Sequence, residues 1–162
     1  LDAGACAAYG YDRTNYSSPR TFISPPVGGL GYSMPEAIGA KLARPDSPVI
    51  AISGDGGFLF NSQELETAVR EHLGTVTLIM NNNEWGSEKA LQTNLFGRTI
   101  GSELTNPRFD KLAELYGARG FYVDSIDQLA DVLKEAFATK DRPSVIEVPV
   151  DPEDLSNLVR QG

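Results

Sequence analysis

Two short segments carry residue types suited to a hard cation. Gly54-Asp55-Gly56 follows the apolar, β-branched run 49–53, and Asn81-Asn82 follows a second such run, 75–80, with 24 residues between the two motifs. Alone, Gly-Asp-Gly is a common turn and Asn-Asn a common loop start. Here each ends a run that reads as a strand buried on both faces, which sets a carboxylate and a carboxamide at the same edge of one sheet. Mg²⁺ takes oxygen ligands in an octahedron at about 2.1 Å, typically one or two protein carboxylates plus phosphate oxygens and water. Glycines on either side of Asp55 let the backbone come close to a phosphate. The chemistry implied is phosphate binding bridged by a divalent cation.

Such residues need a scaffold. Runs 120–123 and 144–148 read as two further strands, and Thr21-Phe22-Ile23 as a weaker one. Helical patterns lie between them. Segment 35–43 carries Ala37, Ile38, Ala40 and Leu42, with Pro35 in its first turn. Segment 61–72 opens on Asn61 as N-cap, with Glu64 three residues on. A third helix starts at Asn106-Pro107, presents Phe109, Leu112, Ala113 and Tyr116 on one face and stops at Gly117. The fourth, 125–138, has Ile126, Leu129, Ala130, Leu133 and Phe137 at helical spacing. Strands alternating with helices predict an α/β fold, a doubly wound parallel sheet with helices on both faces. Ligands of such sheets sit beyond the carboxyl ends of the strands. Segment 81–105 is the longest stretch predicted to be irregular, and long loops in compact domains are commonly functional.

The chain has 162 residues, enough for one domain, and a net charge of −8 without a basic run. Nucleic acid and anionic membrane are therefore not expected as partners, and no apolar run reaches the roughly 20 residues of a membrane span. The single cysteine, Cys6, allows no internal disulfide and points to a reducing, cytoplasmic setting. Residues 1–4 read like the end of a strand and 151–162 like a polar tail without a further element. The expectation is a domain, 1–150, excised from a longer multidomain enzyme.

The two motifs at this spacing resemble the thiamine-diphosphate motif. Gly28-Gly29-Leu30-Gly31-Tyr32-Ser33-Met34-Pro35-Glu36-Ala37-Ile38-Gly39-Ala40 resembles the stretch that precedes it in the acetolactate synthase and benzoylformate decarboxylase group of thiamine-diphosphate-dependent enzymes. The resemblance runs from about residue 2 to residue 150 and implies the C-terminal diphosphate-binding domain. It implies Mg²⁺ held by Asp55, the Asn82 side chain and the Glu84 backbone carbonyl, completed by two diphosphate oxygens and a water. Gly54, Gly56, Gly57 and Gly86 would line the diphosphate. Gly28 and Gly29 would lie at the pyrimidine, with the Gly28 carbonyl accepting from its amino group, and Leu30 would support the bend of the cofactor. The thiazolium would act as electron sink for a small carbonyl substrate. The resemblance also implies a homodimer or homotetramer. Its activating glutamate belongs to a pyrimidine-binding domain of a partner subunit, so no catalytic residue is assigned here and the domain alone is expected to be inactive.

The sequence departs from the group at two places. Ala5 and Cys6 stand where acetolactate synthases carry Gln and His, and Glu36 stands where a small residue is usual. The loop Trp85-Gly86-Ser87-Glu88-Lys89, with Gln92, Arg98 and Gly101-Ser102-Glu103-Leu104, is similar to that of sulfoacetaldehyde acetyltransferase. It implies Trp85 beside the cofactor and Trp85, Ser87 and Gln92 at a substrate pocket. His72, the only histidine, reads as a solvated residue near a helix end, and Cys6 as a small buried residue. A dinucleotide fingerprint would need a third glycine in Gly29-Leu30-Gly31-Tyr32-Ser33-Met34, and a P-loop would need a lysine in segment 54–60. The alternative from a different class is a cofactor-binding or scaffold domain without chemistry of its own.

Overall fold

The structure is a computed structural model and describes residues 1–152. Most of the tail expected at 151–162 falls outside the described residues. Four strands, β1 (Ile50–Gly54), β2 (Val76–Asn81), β3 (Arg119–Tyr122) and β4 (Ser144–Pro149), pair in parallel in the order β1-β2-β4-β3. All four strong candidates from the sequence are strands, within a residue or two at each end. Thr21-Phe22-Ile23 is not a strand. Segment 1–4 joins no ladder either, but the Asp2 N–H donates to the Ile52 carbonyl at 2.9 Å, which holds it against the open side of β1.

Among the described residues seven helices connect and cover the strands: α1 (Ala5–Arg13), α2 (Ser33–Ala43), α3 (Asp55–Phe60), α4 (Glu64–Arg70), α5 (Gly86–Phe96), α6 (Phe109–Leu115) and α7 (Ile126–Ala138). Side chains of a strand alternate between faces, and the two faces carry separate cores. Ile79 and Val145 pack with Met34 and Ile38 of α2, Phe58 of α3, Leu65 and Ala68 of α4, and Phe109 and Ala113 of α6. Val76, Ile146 and Val148 pack on the opposite side with Leu129, Val132, Leu133, Ala136 and Phe137 of α7. The predicted α/β sheet covered on both faces is what forms. Among the described residues no helix is long and apolar enough to cross a membrane.

Three helices were not foreseen. In α1 and α5 the apolar residues face no continuous core: Leu91, Leu95 and Phe96 of α5 are exposed, so no helical stripe marks the sequence. Helix α3 begins at Asp55 itself, directly after β1, where Gly-Asp-Gly reads as a turn. Asn61 does not cap α4, whose N-cap is Gln63. It ends α3, and its amide donates to the Gly31 carbonyl at 2.7 Å. Helix α6 starts at Phe109, after the predicted Asn106-Pro107, because its first free N–H groups are capped from another element. The Glu147 carboxylate on β4 accepts from the N–H of Phe109 at 2.8 Å and of Asp110 at 3.4 Å. Ser125 caps α7 through its side chain, as its position before the apolar pattern suggests.

Two glycines are demanded by close backbone approach. A Cβ on Gly74, before β2, would lie 2.5 Å from the Lys140 carbonyl oxygen. One on Gly120 of β3 would lie 2.0 Å from the Asp110 carbonyl oxygen and 2.9 Å from its Cα. The clash is with backbone of α6, which no rotamer change relieves. Gly120→Ala is therefore expected to lower unfolding stability by about 1–3 kcal/mol, read as a drop in the midpoint of thermal or urea unfolding.

Candidate functional site

Strands β1 and β2 run side by side with Gly54 opposite Met80, so the residues that follow each emerge at one edge of the sheet. Asp55 opens α3, whose first N–H groups have no acceptor within the helix. Past β2 the chain turns sharply at Asn83, in the left-handed region at φ 58°, a conformation asparagine tolerates well. The Asn83 N–H donates to Asn81 Oδ1 at 3.1 Å. Glu84 then forms an antiparallel bridge with Glu103. Its hydrogen bonds run from Leu104 N–H to the Asn83 carbonyl and from Trp85 N–H to the Ser102 carbonyl, both 2.8 Å, and so do not use the Glu84 backbone.

An open cleft of about 150 Å³ lies at this edge. Asp55, Asn82 and Glu84 all line it, as do Gly28, Leu30, Gly54, Gly56, Gly57, Trp85 and Gly86. Of the residues expected at a cofactor, Gly29 alone is not in the lining. Asp55, Asn82 and Glu84 are buried. Burial holds the Asp55 carboxyl above the ordinary carboxylate range, while the Gly56 N–H, the Asn106 amide and the Asn83 N–H pull it back down. The Asn82 amide nitrogen is buried without a hydrogen-bond partner, a feature native structures seldom keep without a reason. The Glu84 side chain is ion-paired with Lys89, and its backbone takes no part in the bridge hydrogen bonds to segment 102–104. Among the described residues no cluster of three His, Cys, Asp or Glu could hold a metal. The cleft at this edge is lined by the Asp55 carboxylate and the Asn82 carboxamide, with Glu84 beside them.

The glycines have packing duties as well. A Cβ on Gly56 would lie 2.3 Å from the Trp85 ring, and one on Gly57 would lie 2.9 Å from Asp2 Oδ1. Trp85 also meets Phe60 edge-on, ring centroids 5.8 Å apart. Ser87 lines the cleft with Trp85. Gln92 does not: its amide exchanges two hydrogen bonds with the backbone of Ile100, at 2.7 and 3.3 Å, and ties α5 to the loop after it. Ala5 and Cys6 line the cleft. The Cys6 thiol donates to the Ala3 carbonyl at 3.3 Å, and burial pushes its pKa to about 12, so it stays a thiol and is not a nucleophile. His72 stands just past the end of α4, away from the cleft.

Two residues at the site carry no local sequence signal. Asp2, 1% exposed, clamps the Leu30 turn: its carboxylate accepts from Gly31 N–H at 2.9 Å and Ser33 N–H at 3.0 Å. Gly31 sits at φ 81°, where a Cβ would meet Phe60 at 2.6 Å. Asn106 reaches Asp55 from 51 residues away, its amide donating to Asp55 Oδ2 at 2.7 Å. Its place before Pro107 reads as a helix start, and nothing in the spacing announces a contact so distant. Only the Asp and Asn residue types, which favour such polar contacts, could have put them forward.

Comparison with known proteins identifies the family. Residues 2–148 match the family described as thiamine pyrophosphate enzyme, C-terminal TPP binding domain. The chain is 40% identical over 144 residues to acetolactate synthase of Bacillus subtilis, covering 89% of this chain and 25% of that protein. It is 37% identical over 148 residues to a probable acetolactate synthase large subunit of Methanococcus aeolicus, covering 90% and 24%. It is 37% identical over 123 residues to sulfoacetaldehyde acetyltransferase of Alcaligenes xylosoxydans xylosoxydans, covering 75% and 20%. The chain thus spans about a quarter of the length of these relatives. With the family match over nearly its whole length, this chain belongs to the thiamine pyrophosphate enzymes, as their C-terminal TPP-binding domain.

Proposed function

We propose that this chain is the diphosphate- and Mg²⁺-binding domain of a longer enzyme, a lyase or transferase that makes or breaks a carbon–carbon bond next to a carbonyl. Its substrate would be a small 2-oxo acid, ketone or aldehyde. The observation that carries the reading is the meeting of Asp55, Asn82 and the Glu84 turn in one cleft, with the Asn82 amide nitrogen buried and unpartnered. A buried carboxylate beside a carboxamide oxygen offers a hard cation the ligands it prefers, and the unpartnered Asn82 N–H calls for an acceptor such as a phosphate oxygen. Asp55, the Asn82 side chain and the Glu84 carbonyl would hold Mg²⁺, and the N–H groups of the first turn of α3 would face the diphosphate. Bound there, thiamine diphosphate supplies the electron sink that carbonyl chemistry needs. Leu30, fixed through the Asp2 clamp, would support the cofactor from below, and Trp85 with Ser87 would form the wall nearest the substrate. The relatives named acetolactate synthase and sulfoacetaldehyde acetyltransferase agree with this class of reaction. The activating glutamate would come from a pyrimidine-binding domain in a partner subunit of a homodimer or homotetramer, and the single cysteine suits a cytoplasmic setting.

The test is calorimetric titration of the full-length protein with thiamine diphosphate, with and without Mg²⁺. Binding is expected to depend on Mg²⁺, and Asp55→Ala is expected to weaken it by more than the about 10–100-fold that loss of an outer-shell partner costs. Cofactor binding indifferent to Mg²⁺ or to Asp55→Ala would leave a scaffold domain as the better reading.

A second expectation concerns the cation-free protein. The Asp55 carboxyl is raised above its ordinary value by burial, so the folded state holds its proton more tightly than the unfolded chain does. Its contribution is therefore lost as pH rises from the ordinary carboxylate range through the raised value. Asp55→Asn, which carries no charge to bury, is expected to flatten that slope and to raise the thermal midpoint at neutral pH. A gain of about 1 kcal/mol would move a domain of this size by about 2–4 °C.

A further inference from the structure

Behind Asp55 lies a chain of polar side chains that ends on a buried carboxylate. Glu147, 2% exposed, lies on the same face of the sheet as Val145, toward α6. Its Oε1 accepts from Asn81 Nδ2 at 2.8 Å, and its Oε2 accepts from the Phe109 N–H. Asn81 Oδ1 in turn accepts from Asn106 Nδ2 at 2.9 Å, and the same nitrogen donates to Asp55 Oδ2 at 2.7 Å.

The direction of every link is forced. The Asn83 N–H can only donate, and Asn81 Oδ1 accepts it at 3.1 Å, so Asn81 turns its nitrogen toward the Glu147 carboxyl oxygen. That presents the Asn81 oxygen to Asn106, which must then donate. The two protons of one amide nitrogen supply both of its bonds, one to Asn81 and one to Asp55. The Asn106 oxygen is left buried without a partner, a cost that this orientation accepts and a flipped amide would avoid only by facing two acceptors. The polarity shared by the Asn83 turn and Glu147 thus reaches Asp55 through Asn81 and Asn106.

We propose that Asn81 and Asn106 are positioning residues for the cation site, fixing one oxygen of Asp55 so that the other is directed into the cleft. This rests on the reading of Asp55 as a Mg²⁺ ligand. It also gives the two asparagines of the Asn81-Asn82 motif different duties: Asn82 lines the cleft, whereas Asn81 acts through Asn106 on Asp55 at the start of α3. Mg²⁺ demands near-ideal octahedral geometry while Ca²⁺ accepts irregular shells. A carboxylate freed to rotate should therefore lose Mg²⁺ far more than Ca²⁺.

The experiment titrates Mg²⁺, and separately Ca²⁺, into the full-length protein at saturating thiamine diphosphate, for wild type, Asn106→Ala, Glu147→Gln and Asp55→Asn. Asn106→Ala is expected to weaken Mg²⁺ by about 10–100-fold, the range for outer-shell partners, while Ca²⁺ affinity changes by less than about threefold. Glu147→Gln has nearly the shape of glutamate but must set an N–H against either Asn81 or Phe109, and it should shift the Mg²⁺ to Ca²⁺ ratio the same way. It decides the matter if Asn106→Ala does not fold. Equal weakening of both cations, or unchanged Mg²⁺ affinity in Asn106→Ala and Glu147→Gln with binding lost in Asp55→Asn, would overturn the proposal and leave the ligand assignment standing. Unchanged Mg²⁺ affinity in Asp55→Asn would overturn the ligand assignment, and the proposal with it.

Discussion

A carboxylate taken out of water must be met by donors, because an unmatched buried charge costs several kcal/mol. Glu147 stands in the middle of β4 under that constraint, and the edge of the sheet is arranged around satisfying it. The N–H groups of Phe109 and Asp110 point at it, which settles where α6 begins. Asn81 points at it from β2. The guanidinium of Arg108 lies 3.7 Å away on the solvent side and also pairs with Asp110. One buried acid therefore joins β2, β4 and α6 at the level where β2 ends and the candidate site starts.

A second buried acid does the same on the other side of the cleft. Asp2 connects the segment lying along β1 to the turn that carries Leu30, and Gly57 is small enough to let it pass beside α3. The cleft is thus bounded by two turns, 28–33 and 81–85, each held by a carboxylate that belongs to neither. Asp2 holds the first turn by charge-assisted hydrogen bonds to its backbone N–H groups, which are stronger than neutral ones, and Glu147 holds the second through the Asn81 side chain. A site held this way is set before any ligand arrives, and less ordering has to accompany binding.

Much of this was legible from residue types. Three of the strands are β-branched runs and β3 carries aromatic residues instead; each appears within a residue or two of where the pattern puts it. Asp55, Asn82 and Glu84 come together because strands β1 and β2 are neighbours, which alternation of strands and helices implies. What escaped was of two kinds. Helices α1 and α5 bury little apolar surface, so periodicity had nothing to register, and α3 is too short and too rich in glycine to read as a helix. Asn61, Asn106 and Asp2 act through one or two hydrogen bonds to residues about 25 to 50 positions away, and local spacing holds no trace of such bonds. Asn61 was misread because a capping box is a pattern of neighbours, while its real partner, Gly31, lies on another turn.

The connection between β1 and β2 is anchored at both ends. Asn61 is bonded to Gly31 where α3 ends, and Gly74 lies flush against the Lys140 backbone just before β2 begins. An extra residue at the first place would draw Asn61 off its partner, and one at the second would thrust side chain into a neighbouring carbonyl. A shift of β2 against β1 would instead displace Asn82 by about 3.3 Å per residue, more than a bond length to a metal. Length changes during divergence are thereby barred from this stretch and diverted elsewhere, to surface segments such as 14–27. The interval of 24 residues between the motifs is an imprint of what packs around the connection, not a dimension of the cation.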